Sequence, residues 1–170
     1  YALAYLKSRG MVQGYEEGTF LPEEVMDRGT FMKMLTGAKQ VYPHRLRYGW
    51  CYPDVQGEWF APAVCFGQDR GWLEGSPEQP FGPEENITRA EALKIALRAF
   101  DVELAEGQRS SVFADVGNDA FYKDYVIAAE EKGLLDGFID GPHFEPDRAM
   151  TRGEVAEMLF RIVYTEMPVL

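Results

Sequence analysis

The sequence predicts a mainly α-helical protein built from three helix–loop–helix repeats that pack on one another. Two observations carry this. A pentad of Gly, two apolar residues, one polar residue and Gly occurs three times, at Gly10–Gly14, Gly71–Gly75 and Gly133–Gly137, with first glycines 61 and 62 residues apart. Each pentad is followed by a Phe-x-Pro (Phe20/Pro22, Phe81/Pro83, Phe144/Pro146), and five positions beyond each Pro begins a polar residue–Arg–small residue triplet. Self-similarity at such a period marks a repeat architecture in which no single unit can bury its apolar face alone.

Each unit reads in order. Tyr52–Pro53–Asp54–Val55 and Phe113–Ala114–Asp115–Val116 open the second and third copies, followed by the aromatic pairs Trp59–Phe60 and Phe121–Tyr122. From Trp59 to Arg70 and Phe121 to Lys132, apolar residues fall at helical spacing, as in Phe121, Tyr125, Ala128 and Ala129. The first glycine of each pentad is a natural C′ stop. The segments 15–19, 76–80 and 139–143 are turn-rich and predict structured loops with at most a short β-bridge, anchored by buried Phe20, Phe81 and Phe144. The third loop carries one inserted residue.

A second helix then starts. Thr88 with Glu91, and Thr151 with Glu154, have the spacing of a capping box. An apolar stripe follows at Ala92–Leu93, Ala96–Leu97 and Phe100, and again at Val155, Met158–Leu159 and Ile162–Val163. In the first copy Asp27 can cap, but Thr30 replaces the Glu and Gly29 is expected to weaken the helix start by up to ~1 kcal/mol. The repeats are bounded at 1–42, 50–104 and 111–166, with linkers near 39–49 and 102–111. Two are well formed (52–100 and 113–163), and the first (1–35) is read as truncated at its N-terminus and degenerate, in a fragment of a larger protein.

Composition excludes several roles. The net charge of −11 over 170 residues disfavours nucleic acid, because no Lys/Arg block offers a track for phosphates. No apolar run reaches the ~20 residues that span a bilayer, so no direct membrane insertion is expected. Hydrophobic content of 46% argues for a packed globule. His44 and His143 lie far from both cysteines, so no metal site is expected, and Asp136–Gly141 fails the ligand alternation of a calcium loop. HExxH, GxSxG and phosphate-loop motifs are absent; no catalytic residue and no cofactor is assigned. Cys51 and Cys65 either bridge a short loop, adding ~3 kcal/mol, or are two unrelated small buried residues; the sequence leaves both open.

Taken together, the aromatic-x-Asp-Val opening, the aromatic helix start, the Gly-bounded pentad, the Phe-x-Pro and the Ile87–Thr88–Arg89–Ala90–Glu91 helix start resemble the S-layer homology (SLH) domain family over nearly the whole chain. Met150–Thr151–Arg152–Gly153–Glu154 is one conservative step away, and Met26–Asp27–Arg28–Gly29–Thr30 keeps chiefly the Arg. The resemblance implies pseudo-threefold symmetry around a central three-helix bundle, with loops forming prongs. It further implies a secreted, wall-associated module that anchors a surface or envelope protein through an acidic, pyruvylated secondary cell-wall polysaccharide.

Carried over by motif position, Arg28, Arg89 and Arg152 would contact the acidic sugar, since a guanidinium grips a carboxylate bidentately. Asp54, Asp115, Trp59 and Phe121 would line or shape the same grooves. Each has a structural alternative: a salt-bridged surface Arg, an Asp capping the following helix, a core aromatic. The site is expected around Arg89 and Arg152, with Arg28 the least certain, and alanine at either of those two should weaken wall binding without affecting unfolding. The competing function is a diverged docking module for other envelope proteins within a surface-layer assembly.

Overall fold

The structure is a computed structural model that describes residues 1–12, 19–104 and 110–166. Gln13 and Gly14 of the first pentad, the loop residues up to Gly18 and residues 105–109 of the second linker lie outside the described residues. Six helices form: α1 (Ala2–Ser8), α2 (Arg28–Ala38), α3 (Ala61–Asp69), α4 (Arg89–Ala99), α5 (Lys123–Glu131) and α6 (Arg152–Glu166), with a short antiparallel pair β1 (Trp50–Tyr52) and β2 (Val55–Gln56). That pair, unforeseen in the sequence, is built from the opening motif of the second copy.

The three repeats close into a ring. The capped helices α2, α4 and α6 touch one another at the centre, and each receives the first helix of the next copy: α3 packs on α2, α5 on α4, and α1 on α6. No repeat is therefore a self-contained unit. The glycine stops behave as expected, with Gly10, Gly71 and Gly133 all at φ near +70 (68, 70 and 65°), where an L side chain would be strained.

Backbone hydrogen bonds make the ring literal. Met26 N–H donates to the Met150 carbonyl (2.9 Å), Met150 N–H to Ile87 (3.1 Å) and Ile87 N–H back to Met26 (2.9 Å), with all three side chains buried. Around this triangle, the free N–H groups that every helix start exposes are satisfied by the next copy. Arg28 and Gly29 donate to the carbonyls of Glu85 and Pro83, Arg89 and Ala90 to Arg148 and Pro146, and Arg152 and Gly153 to Glu24 and Pro22, all at 2.8–3.0 Å.

The capping boxes form as expected. Thr88 N–H donates to the Glu91 carboxylate (3.0 Å) and Glu91 N–H to the Thr88 hydroxyl (3.3 Å), with the same pair at Thr151 and Glu154. In the first copy the Asp27 carboxylate accepts from both the amide and the hydroxyl of Thr30 (2.7 and 2.9 Å). Gly29 proves to be more than a weakened helix residue. A Cβ there would lie 3.1 Å from the Phe60 ring and 3.3 Å from the Pro83 carbonyl, and one at Gly153 would lie 3.0 Å from that of Pro22. Both glycines sit where a neighbouring copy closes on the helix.

Phe81 and Phe144 are buried anchors, at 7% and 0% exposure, whereas Phe20 is only partly buried. Cys51 of β1 and Cys65 of α3 are bridged, with Cα atoms 5.3 Å apart, which decides between the two readings left open. Tyr48 packs edge-on against Phe66, so the first linker is tied to the second copy.

Candidate functional site

The three arginines hold equivalent places between copies. Arg28 Nε donates to the Phe81 carbonyl (3.0 Å) with its guanidinium 4.6 Å from that ring. Arg152 Nε does the same to Phe20 (2.9 Å and 4.8 Å). Arg89 reaches the Phe144 carbonyl through Nη1 instead, with the ring 5.9 Å away. Their charge meets carboxylates of the same neighbour: Arg28 pairs with Glu91 (2.7 Å), and Arg89 with Glu145 (3.4 Å) and Glu154 (3.9 Å). Arg89 and Arg152 are only 5% and 7% exposed. Burial, with Arg148 pressing the same way, draws the Arg89 pKa below its ordinary value, while Glu154 and Glu145 oppose it. A guanidinium remains charged under such a shift. These arginines are thus interlocks between repeats, and the expectation that alanine at Arg89 or Arg152 leaves unfolding unchanged does not fit their burial.

Asp54 and Asp115 do not cap the helices that follow them. Asp54 accepts from the amides of Phe81 (2.8 Å) and Gly82 (2.7 Å), and Asp115 from those of Phe144 and Glu145 (both 2.7 Å). Each carboxylate folds its own Phe-x-Pro loop back onto the opening motif and so presents the Phe carbonyl that an arginine then takes. α3 and α5 begin at Phe60 and Tyr122 with no side-chain cap. Burial raises the Asp115 pKa, but the amide bonds from Phe144 and Glu145 outweigh it and leave the carboxyl below its usual range.

Trp59 and Phe121 are surface aromatics rather than core, 58% and 63% exposed, while Trp72 is the buried one. Each carries a lysine from the preceding capped helix: Lys33 Nζ lies 5.0 Å from the Trp59 ring and Lys94 Nζ 4.7 Å from that of Phe121.

Trp59 borders a cavity of about 460 Å³ lined chiefly by the first and second copies, with Arg152 reaching it from the third. Lys33, Arg152, Thr30 and Trp59 line it, together with Tyr42 and Pro62. Two cations share it, and among the described residues none of its lining side chains is acidic, although the chain has 28 Asp and Glu against 17 Lys and Arg. Of the seven residues expected from sequence, only Arg152 and Trp59 line this cavity. Among the described residues no group of three or more His, Cys, Asp or Glu could hold a metal ion, and no helix is long and apolar enough to cross a membrane.

The repeat pattern and the interlocked arginines agree with a direct family match: the S-layer homology domain model fits residues 1–32, 52–93 and 112–156, which together make up well over half of the chain. The chain belongs to the S-layer homology family. The first SLH match is the shortest. Similar proteins include an endoglucanase of Bacillus sp. (strain KSM-635), 28% identical over 96% of this chain but 18% of that protein. The surface-layer 125 kDa protein of Lysinibacillus sphaericus is 37% identical over 54% of this chain and 7% of its own length. The cellulosome-anchoring protein of Acetivibrio thermocellus is 33% identical over 57% of this chain and 22% of its own. The chain thus spans less than a quarter of each of these relatives, and the match to the endoglucanase is through SLH repeats, not a catalytic domain. SLH repeats are cell-surface modules that anchor surface proteins to the wall.

In SLH terms, the residue that sequence reasoning missed is Lys33. The signal was present: six positions beyond each cap stand Lys33, Lys94 and Glu157, a column one turn past the helix-start motif.

Proposed function

We propose that this chain holds a larger bacterial surface protein on the cell wall by binding an acidic secondary wall polysaccharide, with a pyruvyl-ketal sugar as the expected ligand group. One observation carries this reading: a cavity with no acidic lining among the described residues presents Lys33 and Arg152 beside the exposed Trp59 in a chain of net charge −11. The two cations suit a carboxylate, and the Trp59 face suits the apolar side of a sugar ring. Arg28 and Arg89, expected as ligand contacts, act on this reading mainly by holding the ring in shape, as do Asp54 and Asp115. Phe121 stands at the equivalent place in the second groove.

The test is sedimentation with purified Gram-positive wall sacculi before and after acid extraction of the secondary polysaccharide. Binding to intact sacculi should disappear on extraction, and Lys33→Glu or Trp59→Ala should weaken it at least tenfold. Retention on extracted sacculi, or no binding to intact ones, refutes the reading. A second reading, docking to another envelope protein, draws support from the exposed Tyr42 and Leu46 on the first linker and Trp50 at the start of β1 (75%, 92% and 76%). On that reading Leu46→Ser and Trp50→Ser, rather than Lys33→Glu, would release the chain from whole envelopes.

A further inference from the structure

We infer that two copies of this chain associate, residues 45–50 of one meeting residues 112–124 of the other. The first of these surfaces is the one that favours docking over glycan binding, now with its partner named as a second copy. The contact is independent of the wall-glycan reading, since no residue of either stretch lines the cavity.

The basic surface is a single turn held in place. The amides of Arg47 and Tyr48 both donate to the His44 carbonyl (3.0 and 3.1 Å). Tyr48 is partly buried against Phe66, and the residues before it are turned outward: Leu46 is 92% exposed, with exposed Arg45 and Arg47 on either side. Trp50 follows on β1, also largely exposed. Arg45 donates to the Gly57 carbonyl (2.7 Å) and Arg47 lies over the Tyr48 ring (5.1 Å). Among the described residues neither arginine meets a carboxylate. The Cys51–Cys65 bridge fastens the end of the segment, so the turn loses little freedom when it is bound.

The chemistry of this surface selects its partner. Trp and Arg are the residues that most often anchor a protein interface, and a leucine at the tip of a turn calls for an apolar socket rather than a sugar. Two arginines on a chain of net charge −11 are a weak hold on an anionic membrane. The partner is thus a protein surface that joins carboxylates to exposed apolar side chains.

The chain itself carries one. Five of its 17 Lys and Arg lie between Asp27 and Asp54, a stretch without acid, which leaves 12 cations against 28 carboxylates elsewhere. Within residues 112–124 stand three aspartates and one lysine. Among the described residues Asp119 meets no cation, and Asp124 meets only its neighbour Lys123 at 3.6 Å. Val112 is 79% exposed, exceeded among the described large apolar side chains only by Tyr1 and Leu46, and Phe121 is exposed as well. The two surfaces are opposite in charge, and each leads with apolar groups, an arrangement that fixes partner and register in protein association. One turn and one tryptophan cover much less than the roughly 800 Å² that each partner gives to a stable complex, so the contact is weak in solution. It gains where copies stand side by side on a wall and raise one another's local concentration.

Sedimentation velocity of the full chain over a concentration series decides it, with thermal unfolding as the check that each variant is folded. The unaltered chain should self-associate at low ionic strength, at least tenfold more weakly at about 0.5 M salt than at about 0.02 M. Two charge-swapped variants separate the surfaces, Arg45→Glu with Arg47→Glu, and Asp119→Lys with Asp124→Lys. Each alone should lose at least tenfold in self-association. Mixed one to one they should associate again, because each supplies the sign that the other lacks. Leu46→Ser, which leaves the charges alone, should weaken association at least fivefold. Lys7→Glu with Arg9→Glu, the same change in net charge placed on α1, should alter it less than twofold.

A chain that stays monomeric at low salt overturns the inference. So does a folded charge-swapped pair that fails to associate when mixed, or an equal loss from the Lys7 and Arg9 control. Binding of the same variants to sacculi is read separately. Failure of the wall-glycan reading therefore leaves this contact standing, and failure of the contact leaves that reading standing.

Discussion

Replacing Arg89 by alanine removes a guanidinium that is almost wholly enclosed between the second and third copies. The loss has three parts. The Phe144 carbonyl forfeits a charged donor in a buried place, at about 1–3 kcal/mol. The guanidinium leaves the Phe144 ring, at about 0.5–1 kcal/mol, and the buried stem methylenes go with it, at about 0.8 kcal/mol each. Against this, the variant no longer carries the desolvation of a buried charge, which amounts to several kcal/mol. The net expectation is a destabilisation of about 2–4 kcal/mol, somewhat below the about 3–5 kcal/mol that removing one partner of a fully buried ion pair costs, because the Glu145 carboxylate left behind is largely exposed. For a domain of this size that lowers Tm by roughly 4–16 °C, at about 2–4 °C per kcal/mol. Urea denaturation followed by circular dichroism at neutral pH measures it. Arg28→Ala should cost less, because its side chain is 16% exposed against 6% for Arg89 and water can replace part of what is lost. A change below about 1 kcal/mol for Arg89→Ala would show that the interlock does not hold the copies together, and would return that arginine to the ligand-contact role expected from sequence.

Asp115→Asn should destabilise the protein by about 1.5–3 kcal/mol at neutral pH, because a neutral amide turns a donor toward one of the two amides that the carboxylate now accepts from. The pH dependence has a definite sign. The folded pKa of Asp115 is lowered, so its contribution is complete above the unfolded value near 4 and is lost as pH falls below that through the folded value. Glu154 and Glu74, also lowered, act in the same direction. Acid denaturation curves should therefore be shallower below about pH 4 in Asp115→Asn than in the unaltered chain. Reduction of Cys51–Cys65, which closes a loop of sequence separation 14, should lower stability by about 3 kcal/mol; equal urea midpoints with and without reductant would refute it.

Local signals in the sequence were enough for the helices and their ends. Thr88, Thr151 and the pentad glycines act through contacts within a few residues, and their geometry follows from residue type alone. What could not be read was which copy each helix joins. The amides of Arg28 and Gly29 find carbonyls more than fifty residues away, in Glu85 and Pro83, and nothing near Arg28 announces that. The same limit explains the two aspartates. An Asp a few residues ahead of a helix is a plausible cap, yet Asp54 and Asp115 bind amides 27 to 30 residues on, because the Phe-x-Pro loop returns to them. Leu21, Gly82 and Glu145, the central residues of the three Phe-x-Pro motifs, all take positive φ (51, 71 and 54°), and only one is the glycine that would have signalled it. The arginines allowed two readings for a related reason: a residue repeated in every copy can serve every interface between copies as well as every groove.

On the wall-glycan reading, the overall charge is a poor guide to the ligand. A net −11 suggests that any acidic polymer is repelled, but charges separated by more than about 8 Å are largely screened at physiological ionic strength, so a ligand responds to the charges near its groove. Between Asp27 and Asp54 the chain carries no Asp or Glu and five cations, Arg28, Lys33, Lys39, Arg45 and Arg47. The same segment supplies Lys33, Tyr42 and Pro43 to the cavity, and the Cys51–Cys65 bridge and the Tyr48–Phe66 contact fasten its far end to the second copy. An acidic group entering this cavity would therefore meet the charge of that segment before the charge of the whole chain.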